Sequence, residues 1–518
     1  MTRRTHPEGT PRTPSPRLRA AIRTLVAVLA PGGGASDVEG SAPERGGGGA
    51  DDSGGVRAAR EQRRARALRE GLESLGPFWI KVGQMLATRP DLVSEPVTRE
   101  LRRLHDHAAP QPFATYSGVL REELGTRWER MFRSVDPEPL GTASLAQAHA
   151  AVLRDGRPAV VKIQRPGVDV LMTHDMRLLR RAASLTTTAV PALGRVVDLR
   201  ATLDVLFDAM VPELDFTREA ANMEAARPTL SRFPCLRVPD VYHASRRVLV
   251  QSTAPGTAVL DLPEATLTQR QRTAIGADLI AWMHRGYFVD HFFHADPHPG
   301  NILVHTDGTA TVIDWGMVGR VDRRTGTAIL LVLLNLALND GQGVARAWLE
   351  TCRLTPRSDV PGFTADVTAM VPRLAAASLA ELDFGQALTQ VMRRTARRHI
   401  QVNPAVAVLG KSFANIDGSV RAIAPGLHVD DVVRDNLAAV LADLARQRLD
   451  PVHIGRAALT SLLALDDLMP ESHALLHGRP VTTPPEPTRE AAPNQALRRV
   501  AAVAVAAYLL RRRRDRPT

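Results

Sequence analysis

The chain has 518 residues, 44% of them apolar, which is enough for a large core and more than one domain. Its two cysteines, Cys235 and Cys352, lie far apart; this excludes a disulfide framework or a CxxC metal knuckle and points to a reducing, cytoplasmic compartment. Aromatics make up only 4%, so no base-stacking surface and no nucleic-acid partner is expected despite a formal charge of +11.

Residues 1–56 read as a disordered, basic, Pro/Gly-rich tail; the first twenty hold five Arg and one Glu. The segment AIRTLVAVLA at 21–30 is short and lacks a clear cleavage site, so no signal peptide is expected. From 57 an Arg/Glu/Leu helical pattern runs toward 75. A second helix is predicted over 77–88, with Pro77 in its first turn and Pro90 as its stop. Residues 97–135 read as helical again. The pattern then changes: SLAQAHAAVL, a DG turn at 155–156 and RPAVVKIQRPG predict a β-hairpin. VLMTHDMRLLRRAASL is helical, and so is ELDFTREAANMEAA, where Asp215 and Glu219 form an i,i+4 pair. RVLVQST is a short strand, 268–288 a helix, and HADPHPGNILVHTDGTATVIDWG a loop, strand, DG turn and strand. After about 325 nearly everything is helical until PVTTPPEPT at 480–488. There is no internal repeat.

The order predicts a two-lobed α+β fold. A helical extension spans 57–135, a small lobe of sheet and helices 136–258, and a helical large lobe 259–478. Residues 479–518 form a Pro-rich linker and a basic, apolar end. From Arg498 that end holds seven Arg and one Asp around the 11-residue run VAAVAVAAYLL at 500–510. A spanning helix needs roughly 17–25 residues. The run therefore suggests peripheral contact with an anionic membrane surface, or docking on a partner helix, without a span.

Of the 66 Lys and Arg residues only three are Lys, at 81, 162 and 411. Lys162 interrupts the β-branched strand AVVKIQ, where a buried ammonium needs a partner. A kinase strand lysine of this kind touches nucleotide phosphates and pairs with a helix glutamate; Glu219 is the natural partner. Arg would replace it poorly, because the site wants a compact point charge. Asp296 and Asn301 are five apart in a loop, and Asp314 follows Asn301 by thirteen, across a strand, turn and strand. Asn301 and Asp314 then sit at the mouth of a hairpin and offer oxygens suited to Mg²⁺. Asp296 can orient or deprotonate a nucleophile. Asp-x₄-Asn followed by Asp-aromatic-Gly matches the spacing of a kinase catalytic loop and metal loop. His291, His294 and His298 fit no zinc spacing, and His294 is expected to hold the loop through backbone hydrogen bonds. Lys411, in LGKSFANIDGSVRAIAPGL, is expected on a helix surface or in C-terminal packing, with no assigned role.

The motifs LGPFWIKVGQMLATRPDL, SLAQAH, VVKIQRPG, ELDFTREAAN, FFHADPHPGNIL and IDWGM resemble those of the UbiB/AarF family of atypical protein-kinase-like proteins, tied to isoprenoid quinone biosynthesis. The resemblance covers roughly 65–430 and implies a bilobal protein-kinase-like fold whose helical extension folds over the nucleotide site. It implies that Lys81 and Gln84 form the family's Lys-x-Gly-Gln motif, that Lys81 approaches Glu213 and Asp215 of the Glu-x-Asp motif, and that Glu219 pairs with Lys162. It also implies a phosphate-binding loop at Gly141, Thr142, Ala143 and Ser144, where the family usually has an alanine-rich loop. Gly141 leaves the choice between ATP and ADP open. Ser252 stands where relatives often carry an acidic residue, and Trp315 where Phe is more usual.

The expectation is an ATP- and Mg²⁺-binding kinase or ATPase supporting quinone or prenyl-lipid metabolism at a membrane surface. Its partners would be a lipid or quinone precursor and a biosynthetic enzyme. Peptide phosphorylation is disfavoured, because the helical pattern resumes by about Thr325 with no long activation segment. Two alternatives stay open: a small-molecule kinase of the aminoglycoside or choline type, and a non-catalytic nucleotide-sensing scaffold.

Overall fold

The computed structural model describes residues 50–87, 93–104, 110–189, 203–204, 207–208, 210–375, 384–427, 439–444 and 446. The chain divides into two compact units at Asp443/Leu444, and nearly all of the second lies outside the described residues. So do residues 1–49 of the expected tail, the apolar segment at 21–30, Pro90 and the basic end from 479.

The extension comprises α1 (Ala50–Leu75), α2 (Pro77–Ala87) and α3 (Glu95–Leu101). Helix α1 begins seven residues ahead of the expected start at 57. It ends at Gly76, whose φ of 101° is a conformation that L side chains avoid. Leu72, Phe78, Trp79, Val82 and Leu101 form one core with Val168, Met172 and Leu179 of the later helix α6 (Val168–Ala189). Each such side chain contributes roughly 1.5–3 kcal/mol on full burial, so the extension is packed as core against the small lobe. Buried Glu100 ties α1 to α3 by accepting from Gln62 (2.9 Å) and Arg69 (3.1 Å). At Gly83 a Cβ would stand 2.3 Å from Leu104 Cδ1 and 2.9 Å from Leu72 Cδ1. The glycine thus admits leucine side chains.

Helices α4 (Phe113–Leu124) and α5 (Arg127–Met131) lead into the small lobe. Its antiparallel sheet has the order β1-β2-β3-β6-β5, formed by β1 (Phe132–Thr142), β2 (Ala146–Leu153), β3 (Pro158–Gln164), β5 (Val241–Ala244) and β6 (Val248–Ser252). Strand β1 starts at Phe132, so helix does not persist to 135. Phe132 pairs with Leu153 and Val135 with Ala151, and these ladder contacts override the helical pattern. The expected β2–β3 hairpin forms, with Gly156 at φ 87° in its turn. Tyr116, Val119 and Leu120 of α4 cover one sheet face through Val161, Ile163, Val248 and Val250. Side chains alternate along a strand, so Lys162 leaves from the opposite face.

A 3₁₀ turn (Val211–Leu214) precedes α7 (Phe216–Leu230). Strand β4 (Leu236–Arg237) lies parallel to β10 (Ala310–Val312), while β7 (Thr257–Ala258) pairs with β9 (Ile302–Val304). Helix α8 (Gln269–Arg285) opens with a Thr268–Gln271 capping box and runs into a π turn at Gly286–Asp290. Next come β8 (Phe292–His294), β9 (Ile302–Val304), β10 (Ala310–Val312) and β11 (Val318–Arg320). The rest is helical: α9 (Arg323–Ala337), α10 (Gly341–Leu349), α11 (Val360–Ala375), α12 (Phe384–Arg397) and α13 (Pro404–Ile423). Asp322 caps α9 by accepting from the Thr325 amide, so helix resumes close behind β11 and no long activation segment intervenes. The architecture is the expected two-lobed α+β one. Among the described residues no helix is long and apolar enough to cross a membrane.

Candidate active site

Three elements meet at Lys162: β3, α7 and the turn after β10. Strand β3 delivers the lysine, and Glu219, in the first turn of α7, receives it. Lys162 Nζ donates to both Glu219 carboxylate oxygens at 3.0 Å and to Asp314 Oδ1 at 2.7 Å. It also stands 5.4 Å from the Phe216 ring centroid. Burial works against its charge, but Asp314 and Glu219 outweigh it and hold the ammonium above its ordinary pKa. Lys162 in turn pulls Asp314 far below the usual carboxylate range. Glu219 moves up, because its own desolvation exceeds the pull of Lys162. The Glu219 side chain is only 4% exposed, whereas that of Asp314 is 51% exposed and opens the cluster to solvent.

Asp314 follows β10 at φ 59°, a left-handed conformation uncommon outside glycine and best tolerated by Asn and Asp. Strands β9 and β10 pair Ile302 with Val312, and the Ile313 amide donates to the Asn301 carbonyl at 2.9 Å. Asn301 and Asp314 therefore stand at the hairpin mouth, as the sequence spacing predicts. Asn301 Nδ2 donates to the Asp296 carbonyl at 3.0 Å, which orients its amide. The oxygens of Asn301 and Asp314 fit a hard cation that takes its other ligands from water and phosphate. Among the described residues no group of three or more His, Cys, Asp or Glu is placed to hold a metal ion. His294 accepts from the Asp296 amide at 3.1 Å and donates from Nε2 to the Ile313 carbonyl at 3.1 Å, in the expected loop-holding role. His298 Nδ1 accepts from the Gly300 amide.

Asp296 has a partner that the sequence does not announce. Lys411, on α13, places Nζ 2.9 Å from Asp296 Oδ2. Asn415, one turn on, donates to Oδ1 at 2.5 Å. Lys411 is thus not a surface or packing residue; all three lysines of the chain bind carboxylates of this region. Burial raises the Asp296 pKa, but Lys411 and His298 outweigh it and hold the group below its ordinary value. The one signal available in the sequence was the rarity of lysine itself.

The remaining predicted residues divide. Lys81 of α2 pairs with Glu213. Asp215 is not inside a helix with Glu219; it is the N-cap of α7 and accepts from the amide and hydroxyl of Thr217. Gln84 donates to the Leu104 carbonyl at 3.2 Å, so its side chain braces the extension. Gly141 and Thr142 end β1 opposite Ala148 and Gln147, the Ala143 amide closes the turn on the Ala146 carbonyl at 2.9 Å, and Ser144 is buried. A Cβ at Gly141 would meet nothing within 4 Å. Gly141→Ala is therefore expected to change stability by no more than about 0.5 kcal/mol. A thermal melt showing a clearly larger loss would mean that this strand end cannot carry a side chain. Ser252 accepts from the Asp240 amide at 2.9 Å. Trp315 is buried against Trp282 and His294 and donates to the Val312 carbonyl.

Comparison with known proteins shows what the chain is similar to. Residues 103–348 match the ABC1 atypical kinase-like domain family. A probable protein kinase UbiB of Cellvibrio japonicus is 33% identical over 376 residues, 70% of this chain and 67% of the relative. A probable protein kinase UbiB of Azotobacter vinelandii is 34% identical over 383 residues, 71% of this chain and 69% of the relative. Among solved structures, the Rv3197–erythromycin complex from Mycobacterium tuberculosis aligns with a TM-score of 0.45 at 23% identity, covering 73% of this chain and 98% of that one. The lysine–glutamate pair, the loop and hairpin carboxylates and these sequence relationships together place the chain in the ABC1/UbiB family of atypical kinase-like proteins.

Proposed function

We propose that this protein binds ATP with Mg²⁺ and transfers or hydrolyses its terminal phosphoryl group in support of quinone or prenyl-lipid metabolism at a cytoplasmic membrane surface. The observation that carries the reading is the Lys162 ammonium bound by Glu219 and Asp314. A cation held by a buried helix carboxylate and a solvent-facing one is poised to exchange the latter for phosphate oxygens. Asn301 and Asp314 would hold Mg²⁺, which when bound neutralises charge on the phosphates. Lys162 would then pass from Asp314 to the phosphates while keeping Glu219. Asp296 would orient a hydroxyl or water against the terminal phosphorus. The new P–O bond forms as the bond to the ADP oxygen breaks, and the nucleophile's proton leaves through Asp296 or solvent. The Lys81–Glu213 pair ties the extension to the turn ahead of α7 and supports the view that the extension closes one side of the site.

Phosphate release from Mg-ATP, with and without anionic liposomes carrying a prenylated quinone precursor, tests the reading. Release stimulated at least several-fold by the loaded liposomes is expected. Tight Mg-ATP binding with no release on any lipid would favour the nucleotide-sensing scaffold. Release triggered by a soluble amino or hydroxyl acceptor, and not by lipid, would favour the small-molecule kinase.

A further inference from the structure

The catalytic loop His291–Asn301 contains neither Lys nor Arg, and beyond its own histidines its one carboxylate, Asp296, is met by a partner from elsewhere in the fold. Helix α13 meets it, and more than the charge. Ser412 donates to the His294 carbonyl at 2.6 Å and Ser419 to the Pro297 carbonyl at 2.8 Å. Between them Lys411 and Asn415 take one Asp296 oxygen each, at 2.9 and 2.5 Å. Residues 411, 415 and 419 are spaced by four, so they follow one stripe of the helix, with Ser412 beside it. Both serines are fully buried, and a Tyr287 hydroxyl 2.9 Å from Ser412 Oγ anchors the contact to α8's end. Four side chains of one helix thus grip three residues of the loop, His294, Asp296 and Pro297, on backbone and side chain alike.

We propose that α13 is the device that positions the catalytic loop, with Lys411 the positioning residue that fixes the Asp296 carboxylate for phosphoryl transfer. This rests on the function proposed above. A carboxylate oxygen engaged by an ammonium and its twin engaged by an amide cannot rotate freely. Its direction toward an incoming nucleophile is therefore set by α13, which lies outside the matched domain at 103–348. Misplacing a reacting group by about 1 Å can lower a rate by about 100-fold.

The test uses the full-length chain carrying Lys411→Met, Lys411→Arg or Asn415→Ala, and has two arms. Hydrogen exchange of peptides covering 291–304, in the absence of nucleotide, should quicken about tenfold in Lys411→Met and Asn415→Ala but not in Lys411→Arg. Peptides from β3 and α7 should exchange as in wild type. In steady-state kinetics Lys411→Met should lose about 100-fold in kcat with KM for Mg-ATP within about twofold, and Lys411→Arg should recover to within about tenfold of wild type. Loop exchange unchanged in both Lys411→Met and Asn415→Ala, or kcat unchanged in Lys411→Met, would overturn the proposal. Equal loss in Lys411→Met and Lys411→Arg with a lowered Tm would do the same, since it marks a purely structural lysine. If Lys411→Met does not fold, Asn415→Ala carries both arms. If wild type binds Mg-ATP without turnover, the exchange arm decides. A wild type that binds no Mg-nucleotide overturns the proposed function, and the positioning role with it.

Discussion

Asp314→Asn is expected to lower Mg-ATP turnover by about 10²–10³-fold or more while leaving the protein folded. The backbone argument comes first. Asp314 sits at φ 59°, where Asn is among the few tolerated side chains, so the exchange adds no backbone strain. Alanine there would confound the result, since a left-handed conformation costs an ordinary residue about 1–2 kcal/mol. The chemical argument follows. The amide keeps an oxygen but loses the charge that would attract Mg²⁺. It also loosens the hold on Lys162, whose one remaining carboxylate partner is Glu219. Metal-free ATP should therefore bind the variant at least as tightly as it binds wild type, because phosphate oxygens no longer compete with a carboxylate for the ammonium. The paired measurements are phosphate release across a Mg²⁺ titration and ATP binding in EDTA. Wild-type turnover with an unchanged Mg²⁺ dependence would remove Asp314 from the metal site.

Local chemistry made much of this arrangement legible. The DG turns at 155–156 and 307–308 were readable because Gly156 and Gly308 supply the positive φ, 87° and 85°, that closes each hairpin. Lys162 was readable because a lysine in a β-branched strand demands a carboxylate, and Glu219 supplies it. Other features depend on partners far away in sequence. The helical pattern of 97–135 gives way at Phe132 because β1 finds β2. Asp215 looked like a helix-face residue, yet Thr217 turns it into a cap. Lys81 and Gln84 stand three apart on α2, yet one side chain reaches Glu213 and the other the Leu104 carbonyl. No periodicity separates those two outcomes. The grip of α13 was hidden for the same reason: Asn415 stands 119 residues from the carboxylate it holds, and nothing near it in the chain signals the contact.

Lys162→Met is expected to destabilise the fold by about 3 kcal/mol and to abolish turnover, and the two losses are separable. The stability loss comes from Glu219. With its lysine gone, a carboxylate only 4% exposed keeps its desolvation and gains no compensation beside Asp314. Its pKa, already raised by burial in the native protein, should rise further. A group whose folded pKa lies above its unfolded value stabilises the fold at low pH and loses that contribution as pH rises through the folded pKa. The deficit of Lys162→Met against wild type should therefore be small near pH 5 and grow toward pH 8. Adding Glu219→Leu to Lys162→Met removes the stranded charge. The double variant should regain most of the lost stability, because replacing a buried pair by apolar side chains is often neutral. It should regain no turnover, because no cation remains to meet the phosphates. Chemical denaturation of wild type, both single variants and the double variant closes the cycle. A Lys162→Met protein as stable as wild type at pH 8 would mean that Glu219 finds another partner. A double variant with restored activity would place the phosphate-binding cation elsewhere.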